Sequence, residues 1–197
     1  MNICYFVLHG MLQTTDEGKY KMLEFSDEFM AKLYEKFILE YYKKHYKYLR
    51  PNAKEVYWDI PIDDDNPVVN SEPMIKFLPK MKTDIMLTCE GKTLIIDAKY
   101  YENTMQEHYD KSKIHSDNLY QIFTYVKNYD KDNTGNVAGL LLYAKTEDDI
   151  IKYPLKYKIG GNPIGASTLD LNKDFSEIAS QLDQIVEEYF ELKAKAV

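Results

Sequence analysis

Two aspartates and a lysine stand at the open end of a short predicted hairpin. Two apolar, β-prone segments flank Glu90-Gly91, a typical two-residue hairpin turn. If the residues on either side of this turn pair with each other, the register places Asp84 directly opposite Asp97. Lys99 lies two residues beyond Asp97, so strand alternation places both side chains on one face of the hairpin.

This arrangement predicts a metal-assisted hydrolase. Opposed side chains in a sheet have Cβ atoms about 4.5–5.5 Å apart, and like charges at that distance are destabilising. A divalent cation between Asp84 and Asp97 offsets the repulsion, and the ammonium of Lys99 lies beside it. The structural alternative for the three residues is a surface salt-bridge cluster at a strand end.

A second pair of polar residues lies on a predicted helix. Gln121 and Tyr125 are four residues apart and therefore share a face, which a helical wheel places nearly opposite the apolar stripe. Taken alone, the pair is expected to face solvent. Next to the acidic hairpin, the same pair is placed to orient a phosphate or a water. The apolar stripe consists of Leu119, Ile122, Phe123 and Val126.

The remaining pattern predicts one α/β domain, 1–197, with a central mixed β-sheet flanked by helices. Residues 1–20 form an amino-terminal apolar segment and turn, and residues 21–197 form the core. Helices are expected from Ser26 or Asp27 to about Leu49, from Ser116 or Asp117 to about Tyr129, and from a capping box at Asp174. Besides the hairpin, strands are expected at 56–60, 137–144, 151–159 (an edge strand) and 168–171, with a loop over 61–80.

Composition narrows the class of protein. The chain has 197 residues and a net charge of −7, which argues against non-specific binding of nucleic acid over the whole surface. It has no signal-peptide pattern and no apolar run long enough to cross a membrane, so we expect a cytoplasmic protein. Local basic clusters remain, and the first also suits the carboxyl end of a helix. The two clusters are Lys43, Lys44, Lys47 and Arg50, and Lys76, Lys80, Lys82, Lys111 and Lys113.

The motifs together resemble those of the PD-(D/E)XK nuclease superfamily, in its RecB-type branch. The resemblance is carried by Asp84, the triplet Asp97-Ala98-Lys99 and the pair Gln121-x-x-x-Tyr125. It implies a restriction-endonuclease-like three-layer fold. More closely, the chain resembles the nuclease portion of the McrC family, the cleaving subunits of McrBC modification-dependent restriction systems. The segments that carry this closer resemblance are 33–37, 79–84, 94–101, 119–121 and 140–143.

The resemblance implies cleavage of DNA with Mg²⁺, for which Mn²⁺ substitutes. Asp84, Asp97 and the backbone carbonyl of Ala98 are expected to bind the metal, with Lys99 acting on the attacking water or the transition state. Gln121 and Tyr125 are also candidate site residues and would position water or DNA phosphate.

One further metal ligand is expected from the first helix. Glu35 matches the helical glutamate of the superfamily and would complete the metal shell. A helical wheel places Glu35 well off the apolar stripe and Glu40 at its margin, so an exposed, uninvolved Glu35 is the competing interpretation.

The resemblance also bears on partners. In McrBC systems the partner McrB is a GTP-driven AAA+ ring that recognises methylated cytosine and delivers DNA. We expect this chain to begin just before the nuclease domain, without the region by which McrC proteins engage McrB. A McrB-like AAA+ GTPase is thus a possible partner, but the motifs alone do not establish McrB binding or GTP dependence. A RecB-type repair or recombination nuclease and a catalytically idle module that binds DNA or a partner are the alternative functions.

Overall fold

A computed structural model of the chain describes residues 26–60, 75–100, 106–108, 111–145 and 154–191. Within them lie three α-helices and a short 3-10 helix, and none of these α-helices is both long and apolar enough to cross a membrane. The helices are α1 (Asp27–His45), the 3-10 helix (Lys47–Leu49), α2 (Ser116–Tyr129) and α3 (Phe175–Phe190).

The strands of the described residues form one five-stranded mixed sheet and two short ribbons. The sheet order is β3-β4-β7-β9-β8, in which β4, β7 and β9 are parallel and the two outer strands are antiparallel to their neighbours. The ribbons are β1–β2 and β5–β6. The strands are β1 (Glu55–Val56), β2 (Met81–Lys82), β3 (Ile85–Cys89), β4 (Lys92–Lys99), β5 (Gln106–His108), β6 (Lys111–Lys113), β7 (Val137–Ala144), β8 (Leu155–Ile159) and β9 (Asn162–Leu169).

The hairpin β3–β4 has the predicted register. Its turn residues Glu90 and Gly91 have φ of 48° and 80°, and positive φ at both positions is the signature of a type I′ turn. Cys89 therefore pairs with Lys92, and the ladder continues without a bulge to the pair Ile85 and Ile96. The next residues outward from that last pair are Asp84 and Asp97.

The sheet lies between two layers of helix, which confirms the expected three-layer α/β architecture. Even-numbered residues of β4, such as Leu94 and Ile96, pack into a core shared with α1 and α3. Ile95 packs on the other face with Ile122 and Val126 of α2. Because side chains alternate along a strand, Asp97 and Lys99 also face α2.

Several local predictions are confirmed and others are wrong. All eight residues of β7 are buried, β8 is an edge strand, and Ser26 caps α1 by accepting a hydrogen bond from the backbone of Phe29. The strand predicted at 56–60 is limited to Glu55–Val56. The strand predicted at 168–171 is β9, which begins at Asn162, because ladder pairing with two neighbours overrides the weak β-propensity of its small residues.

Helix ends also differ from the expectation. The first helix ends at His45 rather than near Leu49, since its continuation tightens into the 3-10 helix. The third helix begins where expected, but the side chain of Asp174 makes no capping hydrogen bond. The expectations for 1–20, for most of the loop at 61–80 and for 151–153 lie outside the described residues.

A buried carboxylate organises the turn before β7. Asp130 accepts hydrogen bonds from the backbone N–H and hydroxyl of Thr134 (3.0 and 2.7 Å), from the backbone of Gly135 (2.9 Å) and from the amide of Asn162 (2.7 Å). Burial alone raises the pKa of Asp130, but these hydrogen bonds outweigh it and hold the pKa to about 2.

Replacing Asp130 with Ala is expected to lower the free energy of unfolding by about 2–4 kcal/mol at neutral pH, because four hydrogen bonds are lost and the buried amide of Asn162 loses its charged acceptor. A carboxylate with a depressed pKa contributes stability above its unfolded pKa of 3.8 and loses it as the pH falls towards 2. The difference between the two proteins should therefore shrink below pH 4. Urea unfolding at several pH values measures this, with Asp132→Ala at an exposed position of the same turn as the control. Equal midpoints for Asp130→Ala and wild type at neutral pH would contradict the assignment.

Candidate active site

The candidate site lies where β4 leaves the sheet, at the carboxyl end of the parallel strands. Ligands of open α/β sheets commonly bind at this end. The first acidic side chain is fixed by the backbone of the neighbouring strand. Asp84 directly precedes β3, and its Oδ2 accepts a hydrogen bond of 2.9 Å from the backbone N–H of Ala98 in β4. The carboxylate thus continues the ladder beyond the last backbone pair and is held against the strand that carries Asp97.

The second acidic side chain is almost fully buried. The side chain of Asp97 is 3% exposed, and its Oδ2 lies 2.8 Å from the ammonium of Lys99. The same oxygen accepts no well-aligned hydrogen bond from the described residues. Burial raises the pKa of Asp97 to about 7, the charges of Asp84 and Glu35 add to this rise, and Lys99 opposes it. A buried carboxylate oxygen with this environment suits an additional cation.

The two carboxyl groups are close enough to influence each other directly. Burial raises the pKa of Asp84, while hydrogen bonds from Ala98 and with Asp97 and the charge of Lys99 lower it. One ammonium therefore faces the buried Asp97 and the half-buried Asp84, with a third acid, Glu35, nearby. The structure brings together Asp84, Asp97 and Lys99 as the hairpin register requires. Their arrangement is a half-buried site at the sheet end rather than an exposed salt-bridge cluster.

Lys99 connects the acidic pair to helix α2. Its Nζ donates a hydrogen bond of 2.9 Å to Oε1 of Gln121, and Nε2 of Gln121 donates one of 2.9 Å to the hydroxyl of Tyr125. The side chain of Lys99 is only 15% exposed. Asp97, Lys99, Gln121 and Tyr125 thus form one continuous polar chain from the strand to the helix, which restricts the position of the ammonium.

The alternative in which Gln121 and Tyr125, taken alone, face solvent is wrong. Tyr125 is buried and Gln121 is half-buried. The helical wheel assumes one buried face, but α2 is covered on two sides. The sheet covers one side, and the ribbon β1–β2 contributes Val56 and Met81 to the cluster that contains Tyr125. This second cover cannot be read from the helix alone.

The two candidate glutamates of α1 have different surroundings. Glu40 is exposed and forms an ion pair of 2.8 Å with Lys43. Glu35 is half-buried, and burial followed by the charge of Asp84 raises its pKa, while Lys99 lowers it. Glu35 therefore lies beside the site and not in open solvent. Within the described ranges, however, no three acidic, histidine or cysteine side chains are grouped closely enough to hold a metal ion together. Glu35 therefore does not form a ready three-residue site with Asp84 and Asp97 in this structure.

The backbone of Ala98 presents an oxygen on the same side as Asp84. In a β-strand the N–H and C=O of one residue point to the same neighbour. Since the N–H of Ala98 points to Asp84, its carbonyl does so as well. The residues available for a metal are thus two carboxylates and one backbone carbonyl, with Glu35 close by. Mg²⁺ favours such a set, because it takes oxygen ligands at about 2.0–2.1 Å and keeps several waters.

One charged residue near the site escaped individual prediction. Lys82 was grouped only with other basic residues flanking the hairpin, but its charge lowers the pKa of both Asp84 and Glu35. The available signal was its position two residues before Asp84.

Comparison with known proteins places these motifs in a family. Residues 2–144 match the family model described as "McrBC 5-methylcytosine restriction system component". The chain is also 30% identical over 191 residues to the "Type IV methyl-directed restriction enzyme EcoKMcrBC" of Escherichia coli (strain K12). This alignment covers 96% of the chain and 52% of the relative, so the chain spans about half the length of that protein. The family match includes every candidate site residue from Glu35 to Tyr125.

Proposed function

Because the chain belongs to the family of McrBC 5-methylcytosine restriction system components, we propose that it is a Mg²⁺-dependent DNA endonuclease of such a system. The observation that carries the proposal is the pair of buried Asp97 and half-buried Asp84 with Lys99 at the carboxyl end of β4. Two neighbouring acids with one ammonium are costly for stability, which favours a catalytic role over a structural one.

In this proposal Asp84, Asp97 and the carbonyl of Ala98 would hold the cation, and Glu35 would complete its oxygen ligands. When bound, Mg²⁺ would supply a water of lowered pKa and neutralise charge on the phosphoryl oxygens. Mn²⁺ is expected to take the place of Mg²⁺, because both take oxygen ligands.

Lys99 acts on the reacting groups from a fixed position. Its ammonium is held between Asp97 (2.8 Å) and Gln121 (2.9 Å), so it pays little additional ordering entropy when substrate binds. It orients the attacking water or stabilises the negative charge that develops on the phosphoryl group. Gln121 keeps the ammonium in place, and the hydroxyl of Tyr125 fixes the amide of Gln121.

The partner and the preferred substrate belong to the same proposal. The similar Escherichia coli protein is named as methyl-directed, and the chain spans about half of it. We therefore propose that a McrB-like AAA+ GTPase delivers methylated DNA to this chain. The net charge of −7 agrees with dependence on a partner for holding DNA.

Cleavage of three substrates tests the function. Methylated plasmid, unmethylated plasmid and a branched duplex are incubated with the chain in Mg²⁺ or Mn²⁺, with and without a McrB-type GTPase and GTP. The proposal expects metal-dependent cleavage that favours methylated DNA when the GTPase is present. Preference for the branched duplex would instead identify a repair or recombination nuclease. Binding without cleavage in every condition would identify an idle binding module.

A further inference from the structure

The ribbon β1–β2 is fixed rigidly to the strand that follows Asp84. The hydroxyl of Thr83 donates a hydrogen bond to the backbone carbonyl of Lys54 (3.0 Å) and accepts one from the backbone N–H of Lys54 (3.1 Å). The backbone N–H of Thr83 donates a third hydrogen bond to the carbonyl of Lys54 (3.0 Å). Asn52 exchanges two backbone hydrogen bonds with Met86 on the outer edge of β3 (3.1 and 2.7 Å). These hydrogen bonds fix the backbone on both sides of Asp84, where the chain bends between β2 and β3.

Lys82 lies two residues before Asp84 and stays outside the core. Met81 and Thr83 are buried, whereas Lys82 is exposed and Asp84 is half-buried. The ammonium of Lys82 is thus exposed to solvent and attached to the backbone close to the first acid of the site. The charge of Lys82 also lowers the pKa of both Asp84 and Glu35, in each case by less than that of Lys99, so Lys82 is near both acids.

Lys82 differs from the neighbouring lysines in its contacts. Lys80 lies 3.8 Å from the carboxylate of Glu55, and Lys99 lies 2.8 Å from that of Asp97. Glu55 is the residue directly opposite Lys82 in the ribbon β1–β2, but its carboxylate approaches Lys80, and among the described residues Lys82 forms no ion pair of its own. An exposed ammonium on a rigid strand at the mouth of a site is available to a ligand.

The proposed substrate makes a second cation necessary. DNA brings phosphates towards a site that already holds Asp84, Asp97 and Glu35, and Lys99 alone is largely committed to Asp97 and Gln121. We propose that Lys82 binds a DNA backbone phosphate next to the one that is cut, and so positions the duplex over Asp84 and Asp97. The inference rests on the proposed function, and a lysine suits it as a point charge that carries no sequence information.

Salt-dependent DNA binding tests this assignment. The affinity of the full chain for a short labelled duplex is measured in Ca²⁺, to limit cleavage, over a range of salt concentrations. Each phosphate contact contributes a slope of about 0.9 to the dependence of log affinity on log salt. Lys82→Gln should therefore reduce the slope by about 0.9 and weaken binding about eightfold at 0.1 M salt, with almost no difference near 1 M. Lys82→Arg should restore most of the affinity.

Lys80→Gln is the matched control, since Lys80 is an exposed lysine directly before β2 whose ammonium lies 3.8 Å from the carboxylate of Glu55. It should keep the wild-type slope, and thermal melting should show that both variants fold. In cleavage assays Lys82→Gln should raise KM more than it lowers kcat.

Two results would overturn the assignment. The first is a salt slope for Lys82→Gln equal to that of Lys80→Gln. The second is a change in Mn²⁺ affinity without a change in DNA affinity, which would mean that Lys82 only neutralises the acids. A wild-type chain that does not cleave DNA in Mg²⁺ or Mn²⁺ even with the McrB-type GTPase and GTP would refute the proposed function, but the binding measurement would still decide the role of Lys82.

Discussion

Asp97→Asn is expected to reduce DNA cleavage at least about a thousandfold while the protein remains folded. In the proposed mechanism this side chain is a charged metal ligand, and a thousandfold loss corresponds to about 4 kcal/mol of transition-state stabilisation. Stability should stay the same or rise. The carboxyl group of Asp97 is buried beside Asp84, which raises its pKa to about 7, so the neutral amide removes an unfavourable charge.

Single-turnover cleavage and thermal melting in EDTA separate the two effects. Asp132→Asn is the matched control, because it makes the same chemical change at an exposed position in the turn before β7. The control should cleave DNA like the wild type. Cleavage by Asp97→Asn within tenfold of the wild type would contradict the metal-ligand role. A large loss of stability would contradict the view that Asp97 is retained for function.

Lys99→Met is expected to reduce cleavage by about 10²–10⁴ and also to lower stability, by about 2 kcal/mol. The stability effect has the opposite sign to that of Asp97→Asn. Removing the ammonium leaves the buried carboxylate of Asp97 without its ion pair of 2.8 Å and leaves Oε1 of Gln121 without its donor. Combining Lys99→Met with Asp97→Asn should recover much of the lost stability without recovering cleavage.

Denaturant unfolding of the two single variants and the double variant measures this coupling. Lys145→Met provides a comparison, since Lys145 forms an ion pair of 2.9 Å with Asp170 but is half-exposed. That pair is expected to contribute less than about 1 kcal/mol. If Lys99→Met were as stable and as active as Lys145→Met, neither the buried ion pair nor the catalytic role of Lys99 would stand.

The register of the hairpin was predictable because a two-residue turn determines it. Positive φ at Glu90 and Gly91 fixes which residues pair, and the acids follow by alternation. The orientation of Tyr125 was not predictable in this way. It depends on the ribbon β1–β2, whose two short strands come from distant parts of the chain and carry almost no periodic signal.

The same difference between local and long-range information explains the other outcomes. β7 is buried along its whole length and has a continuous apolar sequence, so its position was evident. β9 contains small residues such as Gly165 and Ala166, and it is a strand because β7 and β8 pair with it. Glu35 lies off the apolar stripe of α1, and only the packing of α1 against the end of the sheet brings it near Asp84.

Binding of Mn²⁺ to the full chain, followed by electron paramagnetic resonance, tests the central claim most directly. The account predicts one tightly bound ion that Mg²⁺ displaces, and loss of this ion in both Asp84→Asn and Asp97→Asn. Asp132→Asn should bind Mn²⁺ like the wild type. Undiminished binding in the Asp84 and Asp97 variants, or no binding by the wild type, would contradict a metal-dependent centre at the end of β4.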